Sequence, residues 1–413
     1  MLSVKTTVES GCECMREDIK KRIELIRDGK VPNGYKLTKV GIIPDEWEIL
    51  NLSSFLKENK ELSNDINKYP LYSSSRKGLL RQSEYYVNKE AMETNLGYKI
   101  VPNGFVTYRH MSDDDIFFLN INNTGSDILV SSEYPVFITE DMSLTFLIEN
   151  LNNMPRFRYF CRAQKMGGTR TRLYFSSLKK YKMPMPQLKE QQKIAKILKH
   201  CDKVINLKQQ LIEEEKNRKK WLMQNLLKQD SKFRPTNFYG LWKNVKLKDC
   251  LKVKHGRNQK QIECSSGIYP ILASGGEIGR TNNPLYSKPS VLIGRKGTID
   301  KPVYRDTPFW TVDTLFYTDI KKNICPKFMY YLFWTIQWNK YRESTGVPSL
   351  SASVIENIEV AIPSDFIEQQ AIANTLSASD KKTDLLEQDL QQWQQKKKSL
   401  MQLLLTGIVR VPV

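Results

Sequence analysis

The chain of 413 residues is longer than one hydrophobic core usually serves, so two globular units are expected, and 64 Lys+Arg against 45 Asp+Glu give a net charge of +19 and a pI near 9.4. That balance favours a polyanionic partner, nucleic acid ahead of a membrane surface. Seven cysteines without regular spacing point to a reducing compartment and against a disulfide framework, and neither an apolar run of membrane length nor a signal-peptide core occurs, so a soluble, cytoplasmic protein is expected.

In chain order, the first predicted element is a short amphipathic helix with Ile19, Ile23 and Ile26 on one face and Gly29 as its stop. Cys12-Glu13-Cys14 before it is half of a metal site with no second pair or nearby histidine, and is discounted. Lys30-Val31-Pro32 echoes Ile408-Val409-Arg410-Val411-Pro412 at the other end of the chain, which raises the prospect that the two ends lie together.

A first globule opens at Trp47-Glu48-Ile49-Leu50-Asn51-Leu52 and a second at Trp242-Lys243-Asn244-Val245-Lys246-Leu247. Each then carries Tyr-Pro (Tyr69-Pro70, Tyr269-Pro270) in a turn-rich stretch and short strand-like runs such as Gly104-Phe105-Val106-Thr107-Tyr108 and Val291-Leu292-Ile293-Gly294. The closing stretches, Leu173 to Pro186 and Leu350 to Pro363, have equal spacing and similar apolar positions.

After each globule comes a long stretch without Gly or Pro. The first begins Glu190-Gln191-Gln192-Lys193-Ile194-Ala195 and the second Glu368-Gln369-Gln370-Ala371-Ile372-Ala373, and they align without a gap at a constant offset of 178 residues from Glu190 to Glu368. Asp202-Lys203 falls on Asp380-Lys381, and Leu222-Met223-Gln224 on Leu400-Met401-Gln402. Each copy is predicted to be one helix, with a proline (Pro186, Pro363) just ahead of it. Apolar residues recur at the three-and-four spacing of a coiled-coil seam: Ile194, Leu198, Leu211/Ile212, Leu222 and Leu226 in the first copy, and Ile372, Leu376, Leu386, Leu390, Trp393, Leu400 and Leu404 in the second. The first seam is interrupted by Lys208, Glu215 and Arg218. Each copy therefore needs a partner, and the two copies are the obvious partners for each other; two separate sites of homodimerisation are the alternative. Some 38 to 40 helical residues make a rod of roughly 60 Å.

Candidate contacts to a polyanion cluster in two places. From Leu151 to Lys189 there is no acidic residue, but Arg156, Arg158, Arg162, Lys165, Arg170, Arg172, Lys179, Lys180 and Lys182 are interleaved with Phe157, Tyr159, Phe160, Tyr174 and Phe175 around a Gly167-Gly168-Thr169 loop. Such a block suits phosphates, while a few arginines and amides can offer paired donors to base edges. In the second globule Lys254, Arg257 and Asn258 form one donor-rich loop, Gly275 to Arg280 a second, and Gly294-Arg295-Lys296-Gly297-Thr298 a third.

No catalytic pattern emerges. The last of those loops lacks phosphate-loop spacing, and Asn283-Pro284-Leu285-Tyr286 only approaches the base-gripping motif of an adenine methyltransferase, with no glycine-rich cofactor strand before it. Asp113-Asp114-Asp115 fits an acidic loop tip better than a metal site, and the three histidines, His110, His200 and His255, are scattered.

Two divergent segments, each followed by a Glu-Gln-Gln-x-Ile-Ala helix ending in Leu-Met-Gln-x-Leu-Leu, resemble the specificity subunit of type I restriction-modification enzymes over essentially the whole chain. Gly41-Ile42-Ile43-Pro44-Asp45-Glu46-Trp47 is similar to that family's lead into its first recognition domain. Tyr269-Pro270, Ala273-Ser274-Gly275-Gly276 and Val291 to Thr298 are similar to recurrent pieces of its target-recognition domains. The first globule departs from the glycine motifs, with Tyr72-Ser73-Ser74-Ser75 and Val106-Thr107-Tyr108-Arg109 instead. The resemblance implies an α/β (α+β) fold with internal duplication and pseudo-twofold symmetry, in which two target-recognition domains of mixed or antiparallel sheet are separated by a long antiparallel two-helix coiled coil. The boundaries expected are an N-terminal arm at 1–46, recognition domains at 47–186 and 242–362, a central helix and linker at 187–241, and a C-terminal helix at 363–413. It further implies a non-catalytic, DNA-binding chain reading a split target, one half-site per domain. Arg109, Arg156, Arg158, Arg170, Arg172, Lys254, Arg257, Asn258, Arg280, Arg295 and Lys296 are the candidate contacts. Partners would be double-stranded DNA, two modification subunits that use S-adenosylmethionine to methylate adenine, and restriction subunits that use ATP and magnesium, with no cofactor or metal in this chain and no membrane. The alternatives are a specificity module of a related methyltransferase system without restriction subunits, and a coiled-coil scaffold with heads that bind something other than DNA.

Overall fold

The computed structural model describes residues 17–82, 97–165, 169–234, 240–343 and 346–412. Cys12-Glu13-Cys14 and Gly167-Gly168 lie outside the described residues. Two compact units divide the chain: unit 1 takes the residues up to Leu207 and those from Gln391 onward, and unit 2 takes Lys208 to Leu390.

In each unit the strand that opens the globule pairs antiparallel with the strand that closes it. In unit 1 Glu48–Asn51 lies against Lys182–Met185, and in unit 2 Trp242–Lys246 lies against Glu359–Pro363. The chain then turns the same way in both, with the Leu52 N–H donating to the Tyr181 carbonyl and the Leu247 N–H to the Ile358 carbonyl, each at 3.0 Å. These ribbons bring the start and finish of a divergent globule to one place and lead straight into a long helix, Leu188–Leu226 or Phe366–Leu405. Between the ribbons the sheets differ. Unit 1 has an antiparallel four-stranded sheet ordered Asn120–Ile121, Val106–Thr107, Val136–Thr139, Leu56–Glu58, and a three-stranded one built on Tyr98–Val101. Unit 2 has an antiparallel sheet ordered Leu251–Lys254, Leu315–Ile320, Ser290–Gly294, Val303–Arg305, and a hairpin, Tyr269–Ala273 with Gly276–Thr281, joined in parallel by Trp310–Thr311.

The helices pair within each unit, and antiparallel. In unit 2, Lys208 meets Asp389, Lys216 meets Glu387 at 2.9 Å, and Lys219 meets Asp380, so numbering rises on one helix as it falls on the other. In unit 1, Lys397 meets Asp202 at 2.6 Å. Because Asp202 aligns with Asp380 and Lys219 with Lys397, these last two pairs are the same interaction made twice. Ile194 and Leu198 are buried with Met401 and Leu404 in the unit 1 core, and Leu226, Ile372 and Leu376 in that of unit 2, with Leu222 and Leu400 packed against their edges. Leu386, Leu390 and Trp393 are half-buried.

One expectation for the seam needs correction, and the seam's interruption has an explanation. Leu211 is 39% exposed, and Ile212, one step of about 100° around the helix, takes the buried position at 4%. The interruption in the seam is filled by charge rather than by apolar side chains: the Glu215 side chain is only 8% exposed and accepts from Lys382 and Arg218. The Lys382 ammonium and the Arg218 guanidinium both reach the carboxylate, which apolar periodicity does not reveal.

The ends of the chain meet in unit 1. Arg22 Nη1 donates to the Ile408 carbonyl and the Tyr35 hydroxyl to the Gly407 carbonyl, both at 2.8 Å. Gly407 ends the C-terminal helix in the left-handed region, at φ +73, with Pro44 so close that a Cβ would lie 2.6 Å from its Cγ.

Candidate nucleic-acid interface

The Glu-Gln-Gln motif that marks both helices is the hinge on which each unit is built. Glu190 is 1% exposed; it accepts from the Trp47 indole at 3.1 Å and from Arg410 through Nε at 2.8 Å and Nη2 at 3.0 Å. Glu368, with no exposure, accepts from the Trp242 indole at 3.3 Å and from Arg234 through Nε at 2.8 Å and Nη2 at 2.7 Å. A buried carboxylate is tolerated only when its oxygens are satisfied, and a bidentate guanidinium plus an indole does that twice over. The following glutamine donates to the carbonyl of the residue that leads into its own helix (Gln191 to Pro186, 2.8 Å; Gln369 to Pro363, 2.9 Å). Its carbonyl accepts the N–H of a helix-capping residue in the globule, Ser143 at 3.0 Å or Cys325 at 2.9 Å. The sequence displayed the tryptophans and the motif, yet gave no sign that one arginine joins them, because Arg234 and Arg410 follow their helices at different distances.

In unit 1 the basic face is a two-stranded ribbon. Met111–Ser112 pairs with Thr171–Arg172, and the Leu173 N–H continues the ladder to the His110 carbonyl. Alternation along a pleated strand then sorts the side chains. His110, Ser112, Thr171 and Leu173 are buried, whereas Arg109, Asp113, Arg170, Arg172 and Tyr174 are exposed. The Tyr174 ring stacks on His110 with centroids 6.0 Å apart, and burial first of all lowers the His110 pKa despite the nearby Glu133 carboxylate. Three aspartates of the turn after Met111–Ser112 hold three arginines: Asp113 takes Arg170 Nε at 2.8 Å, Asp114 takes Arg76, and Asp115, in the left-handed region at φ 63, lies 3.9 Å from Arg162. The acidic tip is thus a holder of arginines. Partial desolvation works against ionisation of Asp114, but hydrogen bonds from Arg76, Ser112 and the Ile116 N–H hold its pKa below the usual carboxylate range.

Not every predicted residue belongs to that face. Arg158 and Arg162 are exposed on the helix Pro155–Arg162, but Arg156 of the same helix is half-buried and donates to the Val40 carbonyl at 2.7 Å. Arg156 is therefore a strut for the hairpin at Val40, a use that its place in an acid-free block does not betray.

In unit 2 the loops converge on residues 311–314. The Arg257 N–H donates to the Thr311 carbonyl at 2.8 Å, the Arg295 N–H to the Thr314 carbonyl at 2.9 Å, and the Ser274 N–H to the Thr314 hydroxyl at 3.4 Å. The Thr298 hydroxyl closes onto the Ser274 carbonyl at 2.6 Å. Gly256 makes the first approach possible, since a Cβ there would lie 2.1 Å from the Val312 carbonyl oxygen. Arg257, Asn258 and Lys296 are exposed and Lys254 half-exposed at this end of the sheet. Asn258 is partly committed, its side-chain oxygen accepting from the Lys260 N–H at 2.9 Å. Arg280 does not join the cluster. It pairs across the hairpin with Pro270, at the end away from the Ser274-Gly275 tip, and its guanidinium is held by Glu277 at 3.0 Å. The Asn283 to Tyr286 stretch is structural, with the Tyr286 hydroxyl bonded to Asp319 at 2.7 Å.

Two globules with a shared scaffold, each presenting fixed arginines on strands or tight loops, define a duplicated recognition chain of mixed α/β class. The family model for the type I restriction modification DNA specificity domain matches twice, over residues 44–216 and 239–395, and the chain belongs to that family of non-catalytic DNA-recognition components. It is 24% identical over 420 residues to the type I restriction enzyme MjaVIII specificity subunit of Methanocaldococcus jannaschii, covering 89% of this chain and 94% of that one. Among solved structures it is similar to the type I restriction-modification S subunit from M. genitalium (TM-score 0.59, 16% identity, 89% and 97% of the two chains covered). It is also similar to a chain from a type I R-M system solved for its complex assembly and conformational transition (TM-score 0.55, 13% identity, 89% and 99% covered). No helix among the described residues is long and apolar enough to cross a membrane.

Proposed function

We propose that the chain is the sequence-specific DNA-binding subunit of a type I restriction-modification complex, reading a bipartite target with one half-site per unit and directing partner subunits to it. The observation that carries this reading is the pairing of a constant scaffold with divergent basic faces. The ribbons, Trp–Glu–Arg clusters and helices are the same in both units, while the arginine-bearing surfaces are built from different sheets. Arg109, Arg158, Arg170 and Arg172 serve one half-site; Lys254, Arg257, Asn258, Arg295 and Lys296 serve the other. The chemistry belongs to partners: two modification subunits carrying S-adenosylmethionine for adenine methylation, and restriction subunits using ATP and magnesium, in the cytoplasm where the DNA is. The test is sequencing of methylated sites in cells that express the chain with its modification subunits. A split motif is expected, and exchanging residues 242–362 for those of a related chain should rewrite one half of it. A motif without two halves, or an exchange that rewrites both, would overturn the reading.

A further inference from the structure

Arg295 is half-exposed and is fixed through both its main chain and its side chain. It leaves the buried strand Ser290–Gly294, and its main chain is pinned on both sides: its N–H donates to the Thr314 carbonyl at 2.9 Å and its carbonyl accepts the Leu350 N–H at 3.0 Å. Gly294 before it admits no side chain, because a Cβ would lie 2.5 Å from the Thr298 carbonyl oxygen. The guanidinium is held as well, Nη1 donating to Asp313 Oδ1, on the segment that also anchors Arg257 and Ser274. The Arg295 side chain is 31% exposed, that of Asp313 66%.

This arrangement separates two uses of an arginine. With Nη1 engaged, Nε and Nη2 on the other edge of the planar group remain as a parallel pair of donors, and among the described residues no protein acceptor takes them. A phosphate brought to that pair would also face the exposed Asp313 carboxylate, and like charges at such range repel. A base edge has no net charge and suffers no such penalty. The edge with two adjacent acceptors is that of guanine, O6 and N7 in the major groove, and a fixed bidentate arginine reads it. Lys296, next in the chain, is exposed and has no carboxylate partner among the described residues, as a phosphate contact requires.

We propose that Arg295, positioned by Asp313, reads a guanine in the half-site of unit 2. The proposal rests on the DNA-recognition reading above, and the experiment keeps the two apart. Methylated sites are sequenced for the wild-type complex and for complexes carrying R295A, D313N, D313E and K296A. With R295A, one guanine in the half-site that depends on residues 242–362 becomes degenerate, while the other half-site and the spacer stay as they were. With D313N the same guanine is retained but its discrimination falls and binding to unrelated DNA grows more salt-dependent, and D313E restores part of the discrimination. K296A weakens all sites alike. The wild-type complex supplies a check free of any folding defect: replacing that guanine by 7-deazaguanine, which lacks the N7 acceptor, weakens binding on the order of tenfold at that position and nowhere else in the half-site. If the wild type has a split motif but R295A leaves every base preference intact and only lowers the salt slope by about one unit, Arg295 is a phosphate contact and the proposal is wrong. An unchanged affinity for 7-deazaguanine at every guanine of that half-site overturns it too. If the wild-type complex has no split motif, it is the functional reading that fails.

Discussion

Units 1 and 2 solve one electrostatic problem with different stretches of chain. Both bury a helix-starting glutamate against a tryptophan indole and close it with a bidentate arginine. In unit 2 the arginine comes from the linker that follows the central helix, and in unit 1 it comes from the tail at the other end of the sequence, 220 residues from its partner. Each arginine lies beyond the C-terminal end of the long helix whose start belongs to the other unit. What is held constant is the constellation; chain connectivity is free to differ. The recognition faces show the reverse. Unit 1 carries its arginines on a pleated ribbon against three aspartates, unit 2 on loops tied to residues 311–314, and only the principle of a carboxylate-held guanidinium is shared.

The sharpest way to break this comparison is to remove the closing arginine from one unit at a time. R234A leaves Glu368 buried without its cation, and R410A does the same to Glu190, so each variant is expected to lose about 3 kcal/mol or more from the affected unit alone. Hydrogen exchange followed peptide by peptide checks this: faster exchange in both units from either substitution would show that the clusters are not equivalent local devices. A second comparison lies within the ribbon of unit 1. Arg172 is exposed without a carboxylate partner among the described residues, while Arg170 is held by Asp113. R172A is therefore expected to lower the salt slope of DNA binding by about one unit, R170A by less, and the double variant by no more than about two. Equal effects would mean that Asp113 does not temper its arginine.

The smallest expected effect is at the charged stretch of the helix pair. The hydrogen bond from Lys382 holds the Glu215 pKa below the ordinary carboxylate value. A carboxyl whose pKa is lower folded than unfolded stabilises the folded state above the unfolded value, and that contribution disappears as pH falls through the folded one. Unit 2 should thus lose some thermal stability as pH falls below the ordinary glutamate pKa of about 4.3, and E215Q should flatten that part of the profile. A steeper profile for the variant would remove the ion pair from the account.

How the sequence related to all this depended on the range of the interaction. The helices, their need of a partner and the duplicated openings and closings were legible because they rest on local periodicity and on repetition at a fixed offset, which a linear string displays directly; the antiparallel sense of the pair was implied only by the family resemblance. Ile194, Leu198, Ile372, Leu376 and Leu404 could be placed in the core on that ground, whereas the pairing of each opening strand with its closing strand emerged only in the fold. Residue types alone also marked the basic clusters. They did not separate Arg156, which bonds the Val40 carbonyl, from Arg172 on the open face, nor Arg280, tied to Glu277, from Arg295 at the loop cluster. The fate of a guanidinium is decided by acceptors brought from elsewhere in the chain. For the same reason the hidden roles of Glu190 and Glu368 were set only in the fold: a charged residue at a helix start looks solvated in one dimension, and it takes an indole and an arginine from distant segments to make its burial affordable.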